Sequence, residues 1–258
     1  MKLNILAVGD IVGRGGLDYL VRRLRSVIAM RSIDFTVVNG ENAAVIGLTP
    51  AQAEEIFDAG ADVITLGNHT WGKREIIPYL EDTPHIIRPL NYAPQVPGRG
   101  FVRVERDFGT VLVANLLGRF AMDFGAENPF LAVDQLLATE RADITLVDFH
   151  AEGTSEKLAM GHYLDGRVSA LWGTHTHVQT SDAAVFPNGT GYVTDIGMTG
   201  PVHSVLGVKP EQSISMFLGN PRNRFEAAPG KCKLECAIFT VETETGRAEH
   251  AEVLRIHD

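Results

Sequence analysis

The sequence predicts an α/β fold organised as a single domain over residues 1–258. Three observations carry that expectation. Short apolar runs alternate with segments of helical periodicity through the first half of the chain. Each run ends in a small cluster of polar residues, as at the carboxyl ends of strands in an open α/β sheet. A chain of 258 residues is also long enough to bury a full core.

Leu3 to Val8 is the first strand candidate, and Gly13, Gly15 and Gly16 then introduce Leu17, Leu20, Val21, Leu24, Val27 and Ile28 at helical spacing. The second run, Phe35 to Val38, ends at Asn39-Gly40-Glu41-Asn42. Thr49-Pro50-Ala51-Gln52 has the form of an N-cap, a proline at the first helical position and a capping-box glutamine, so a helix is expected to about Ala59, before Gly60. Val63 to Leu66 is the third strand candidate and delivers Gly67-Asn68-His69. Residues 73–82 read as a short helix. The proline-rich stretch 84–100 reads as an excursion or lid outside the core.

Phe101 to Arg106 and Thr110 to Leu116 suggest a hairpin turned at Asp107-Phe108-Gly109. Asn128-Pro129 starts a helix to about Glu140, and Ile144 to Phe149 delivers His150. A helix over 155–164 precedes the run Val168 to Trp172, which delivers Gly173-Thr174-His175-Thr176-His177. Beyond it lie short strands around Pro187-Asn188-Gly189, a rigid loop at 197–201, a helix from near Pro210, and a closing hairpin of 232–241 with 247–256.

The formal charge of −9 argues against a surface that binds polyanions without specificity, and no stable nucleic-acid complex is expected. It leaves an anionic substrate open, because bound cations can reverse the local field. No stretch approaches the roughly 20 apolar residues of a membrane helix. The first ten residues carry one lysine and a very short apolar run, and read as a core strand of a cytoplasmic protein. If 232–241 is a strand, Cys232 and Cys236 lie about 13 Å apart on one face, too far for a disulfide and suited to core packing. A homo-oligomer is left open.

Taken singly, the polar residues have ordinary explanations. Asp10 and Asn42 would cap helices, and His69 or His150 would be a partly buried histidine bonded to backbone. Together, Asp10, Glu41, Asn42, Asn68, His69, His150, His175 and His177 fall at successive strand ends in a single order. This oxygen and nitrogen set suits iron, manganese or zinc.

The order Asp, Gly40-Glu41-Asn42 with its acidic residue just before the Asn, Gly-Asn-His, His, Gly-x-His-x-His resembles the calcineurin-like metallophosphoesterases over residues 5 to about 200. The usual Asp-x-His is here Asp10-Ile11-Val12, and the usual bridging aspartate is Glu41. Those departures, with Asp195 to Pro201, are similar to the YmdB-like bacterial branch. The resemblance implies a four-layer α/β/β/α sandwich with a dinuclear centre, iron or manganese favoured and zinc possible. It implies hydrolysis of a phosphodiester, most of all a 2′,3′-cyclic nucleotide, by metal-activated hydroxide, with a small anionic phosphoester as partner, for which a nucleotide or an RNA end is left open. Carried over by residue, Asp10, Asn42 and His177 hold one metal, Glu41 bridges, and Asn68, His150 and His175 complete the second. His69 becomes the general acid or electrostatic stabiliser. Arg88, Asn91, Tyr92 and His203 are candidates for substrate contacts. A broad phosphomonoesterase with the same site, or a metal-containing regulatory protein with little turnover, stay open as alternatives.

Overall fold

The computed structural model describes residues 1–122, 125–220 and 224–257. In chain order it contains β1 (Lys2–Val8), β2 (Asp10–Ile11), α1 (Gly13–Arg31), β3 (Phe35–Asn39), α2 (Pro50–Ala59), β4 (Val63–Thr65), α3 (Ile76–Asp82) and β5 (Ile86–Ile87). There follow β6 (Phe101–Arg106), β7 (Gly109–Leu117), α4 (Pro129–Thr139), β8 (Ile144–His150), α5 (Thr154–Leu164) and β9 (Ala170–Thr174). The chain closes with β10 (Ala184–Val185), β11 (Gly191–Val193), β12 (Met198–Pro201), α6 (Pro210–Phe217), β13 (Cys232–Glu242) and β14 (Ala248–His257).

The strands form two sheets. The first runs β2-β12-β13-β1-β3-β4-β5, with β14 also on β13, and the second runs β10-β11-β9-β8-β7-β6. Strand alternation explains why they stack. On β1, Leu6 and Val8 face the helices α1 and α2, joining Leu17, Leu20, Leu24, Ala53 and Ile56. Leu3, Ile5 and Ala7 face the other way and pack with Val111, Val113, Leu146 and Trp172 of the second sheet. The outer face of that second sheet is covered by Val133 of α4 and by Met160 and Leu164 of α5. The result is helix, sheet, sheet, helix, the four-layer sandwich.

Local chemistry sets the element ends. Thr49 accepts from the Gln52 N–H over 3.2 Å while the Gln52 side chain accepts from the Thr49 N–H over 3.1 Å, completing the expected capping box. Gly60 ends the same helix at φ +118°, a conformation that costs glycine little. Cys232 and Cys236 are not joined by a disulfide, and both are buried in the core between β13 and α1.

Three expectations need correction. Residues 84–100 do not simply leave the core: Ile86 and Ile87 pair parallel with Ile64 and Thr65 as the edge strand of the first sheet. Arg88 and Asn91 are buried as well, and the Asn91 amide donates to the Leu117 and Glu127 carbonyls, each over 2.8 Å. The proline content masked a strand too short to show a pattern. Residues 198–201 are strand β12 rather than loop, paired with β2 and β13. The helix expected over 73–82 begins at Ile76.

Candidate metal centre

Residues from both sheets meet at the carboxyl ends of the parallel strands. Asp10, Glu41, Asn42, Asn68 and His69 come from the first sheet or the loops that leave it, and His150, His175 and His177 come from β8 and β9 or just beyond. The backbone leaves the pleat at the last pair, with φ +94° at His175 and +61° at His177. Such values are uncommon for residues with a Cβ, and they turn both rings into the same site.

Glycines make room for this convergence. A Cβ on Gly67 would lie 2.3 Å from Glu41 Oε2 and 2.5 Å from His150 Nε2, and one on Gly173 would lie 1.8 Å from the Thr194 carbonyl oxygen. Ordinary carbon contacts begin near 3.5 Å, so both positions exclude any side chain.

His150 Nε2 lies 3.0 Å from Glu41 Oε1, 3.1 Å from Asn68 Oδ1 and 3.1 Å from His175 Nδ1. One nitrogen can offer one hydrogen, so three acceptors around it cannot all be satisfied by proton donation. A cation satisfies them together. Ligand atoms of Glu41, His150 and His175 all lie within 4.8 Å of one another. On the neighbouring side, Asp10 Oδ1 is buried without a hydrogen-bond partner among the described residues, 3.6 Å from His177 Nε2. Asn42 Nδ2 is 3.3 Å from that same nitrogen and 3.2 Å from Glu41 Oε1, so Glu41 stands between the two groups.

The other nitrogen of each histidine decides which atom faces the centre. Thr174 donates its hydroxyl hydrogen to Asp148 Oδ1 over 2.6 Å, so its oxygen accepts from His150 Nδ1 at 2.9 Å. His175 Nε2 is 3.2 Å from Glu152 Oε2, and His177 Nδ1 donates to the Leu206 carbonyl over 2.9 Å. In its neutral form each ring would therefore present a lone pair inward: Nε2 of His150, Nδ1 of His175 and Nε2 of His177. Histidines that bind metals are oriented in this way.

Electrostatics agree. Burial and the nearby His150 push His175 down to about 3, so its ring is neutral. Burial opposes charge on His150, but Glu41, Asp10 and Asp148 outweigh it and raise the ring to about 9. Burial likewise opposes charge on Asp10 and on His177, yet their mutual contact lowers the first and raises the second. Without a cation, protons partly balance the carboxylates. Oxygen and imidazole donors of this kind fit a divalent transition metal.

Beneath the ligands lies a polar layer that links the sheets. Asp148 Oδ2 accepts from Thr65 over 2.5 Å and from the Asn39 amide over 3.2 Å, while Asn39 Oδ1 accepts from the Glu41 N–H over 3.2 Å. Asp195 Oδ2 accepts from Thr176 Oγ1 over 2.8 Å and from Lys157 Nζ over 2.7 Å, which ties down the turn between His175 and His177. Lys157 and Asp195 are each 1% exposed.

A cavity of about 390 Å³ opens over the centre and includes Glu41, Asn42, His69, His175 and His177 on its wall. The His69 side chain is 35% exposed, and its Nδ1 lies 3.0 Å from Asn42 Oδ1. Among the described residues, Arg88, Asn91, Tyr92 and His203 do not line this cavity. The first three line a separate cavity of about 850 Å³ between the 84–103 segment and α4, and His203 is exposed on its loop. Sequence reading missed Asp148, Glu152, Lys157 and the role of Asp195. Asp148 did carry a signal, since it precedes His150 by two residues and so shares its side of β8.

A family model described as YmdB-like protein matches residues 6–254. A Bacillus subtilis (strain 168) protein named 2′,3′-cyclic-nucleotide 2′-phosphodiesterase is 42% identical over 99% of this chain and 98% of its own. The crystal structure of a novel phosphatase from Mycoplasma pneumoniae superposes with a TM-score of 0.94 at 33% identity, covering 100% of this chain and 94% of that one. The calcineurin-like phosphoesterase YfkN from Bacillus subtilis shares the fold alone, with a TM-score of 0.56 at 13% identity, covering 100% of this chain and 90% of that one. With the site geometry and a match across nearly its full length, the chain belongs to the YmdB-like family.

Proposed function

We propose that the protein is a metal-dependent phosphodiesterase whose substrates are 2′,3′-cyclic nucleotides. The observation that carries this reading is the convergence of three imidazole lone pairs on two buried carboxylates beneath an open cavity, with His69 on its wall. The name of the Bacillus subtilis relative supports the choice of substrate.

Asp10, Asn42 and His177 would hold one ion and Asn68, His150 and His175 a second, with Glu41 available to both. Iron or manganese is favoured, with zinc acceptable to the same donors. When bound, the metals supply positive charge against the phosphoryl oxygens and make water acidic enough to react at neutral pH.

The chain's own residues do the rest. His69 Nδ1 is turned to Asn42 Oδ1, 3.0 Å away, which leaves Nε2 for the substrate. From there it donates a proton to the leaving alkoxide as the ester bond breaks. In a cyclic diester the leaving oxygen remains tethered to the ribose, so the group it meets stays in place. Asp148 and Asp195 hold the ligand-bearing backbone without touching the substrate. With Cys232 and Cys236 not joined in a disulfide, we place the reaction in the cytoplasm.

The test is metal analysis of freshly purified protein beside activity on p-nitrophenyl phosphate, bis-p-nitrophenyl phosphate and 2′,3′-cyclic AMP. The expected result is bound transition metal with turnover highest on the cyclic diester. Turnover confined to the monoester would replace this reading with a phosphomonoesterase. Metal without hydrolysis of any of the three would leave a regulatory metalloprotein.

A further inference from the structure

The cavity above the metal centre continues into a second one of about 720 Å³. Val45, Ile46 and Phe225 belong to the walls of both. Val45 has φ +68°, a conformation strained for a β-branched residue and one that persists where the surroundings impose it. It is held there by its N–H, which donates to the Asn42 carbonyl over 2.8 Å, so the turn carrying this apolar wall starts at a candidate ligand. Ile46 is 48% exposed.

The second cavity also has Lys73 and Arg224 on its wall. The backbone of Lys73 is set against the same turn, because Gly47 packs so closely on Gly72 and Lys73 that a Cβ there would lie 2.8 Å from the Lys73 backbone nitrogen. The carboxylate among the described lining residues, Glu226, pairs chiefly with Lys209 at 2.7 Å and only secondarily with Arg224. Lys73 and Arg224 therefore stand on the wall of a cavity that adjoins, through an apolar wall, the one over the candidate metal centre, on a chain whose formal charge is −9. A nucleoside with phosphates on both its 3′ and 5′ sides has the same sequence of charge, apolar body and charge.

We propose that the second cavity receives the phosphate on the 5′ oxygen of the substrate's terminal nucleoside. The preferred substrate is then an RNA end that carries a 2′,3′-cyclic phosphate, rather than a free cyclic mononucleotide with a 5′ hydroxyl. Val45, Ile46 and Phe225 pack on the nucleoside between the two phosphates, and Lys73 and Arg224 take the outer one. This rests on the phosphodiesterase reading above and adds to it which neighbour of the reacting phosphate is recognised.

Calorimetric titration of the metal-loaded protein with adenosine 3′,5′-bisphosphate and adenosine 3′-monophosphate tests the subsite without turnover. Two exposed ion pairs correspond to roughly tenfold tighter binding of the bisphosphate at low salt, shrinking as salt is added. That advantage should disappear in Lys73→Gln/Arg224→Gln, and Phe225→Ala should weaken both ligands. Equal affinities, or an advantage that survives the double substitution, would overturn the proposal. Hydrolysis of 2′,3′-cyclic AMP by the same preparation separates the two readings: turnover with equal affinities removes only the subsite, and a subsite without turnover removes only the activity.

Discussion

His150 Nδ1 and Thr174 Oγ1 lie 2.9 Å apart on neighbouring strands of the second sheet, and Asp148 accepts the threonine's hydrogen over 2.6 Å. This short relay holds the His150 ring so that Nε2 faces the metal site. Asp148→Asn would turn an amide N–H₂ group towards donors it cannot accept from, at Thr65 or Asn39 on one side or Thr174 on the other. The expected outcome is a fall of about 10- to 100-fold in metal affinity with the fold retained. A competitive chelator titration beside far-ultraviolet circular dichroism checks it, and unchanged affinity would show that the relay is dispensable.

Gly67→Ala should empty the centre without unfolding the protein. The added methyl would sit 2.3 Å from Glu41 Oε2 and 2.4 Å from His150 Cδ2, so both side chains must move away. The expected protein keeps its secondary structure, retains well under half of its metal in elemental analysis and loses activity in proportion.

Lys157 and Asp195 form an ion pair of 2.7 Å in which both side chains are 1% exposed. Removing one partner leaves a buried charge alone, which costs on the order of 3–5 kcal/mol. Lys157→Met should therefore be more destabilising than Lys157→Met/Asp195→Asn in urea denaturation. The double variant should still lose metal, because Asp195 also accepts from the Thr176 N–H and hydroxyl, at 3.3 and 2.8 Å.

Stability without metal should fall as the solution becomes alkaline. His150 is raised from 6.5 to about 9, chiefly by Glu41 against the effect of burial, and His177 is raised by Asp10. A histidine raised on folding stabilises fully below its unfolded pKa and no longer does so above its folded one. The metal-free protein should thus lose up to a few kcal/mol between about pH 6.5 and 9.5. Asp148, raised to about 6 by burial, loses its protonated-state contribution before that window opens. Metal-loaded protein should show little of this slope, since metal displaces the same protons. Denaturant midpoints across this range, with and without chelator, provide the comparison.

Much of this site was legible because its residues obey a positional rule. Each candidate ligand follows an apolar run, and the glycines beside them mark places where backbone or ligand comes too close for a side chain, as Gly67 and Gly173 show. What supports the ligands was less legible. Lys157 sits on a helix, where a lysine ordinarily reads as solvated, and only the packing of α5 against Gly173 reveals that it is buried. Asp195 stood in a recognisable motif, but its partner could not be named before the chain was folded. The strand at Met198–Pro201 was obscured for another reason: glycine and proline signal turns locally, whereas its pairing with β2 and β13 depends on residues far away in sequence.

The candidate centre draws its oxygens and amides from one sheet and its three imidazoles from the other. A bound ion would therefore act as a rivet between two leaves that otherwise meet mainly through side-chain packing. Loading should tie the opening of one leaf to that of the other, so that amide exchange in β3 and β8 slows together as metal is added. Binding restricted to the native arrangement strengthens it by about 2.7 kcal/mol at a hundredfold excess of ligand over its dissociation constant. The availability of metal in the surroundings would then set how long the protein persists as well as how fast it works.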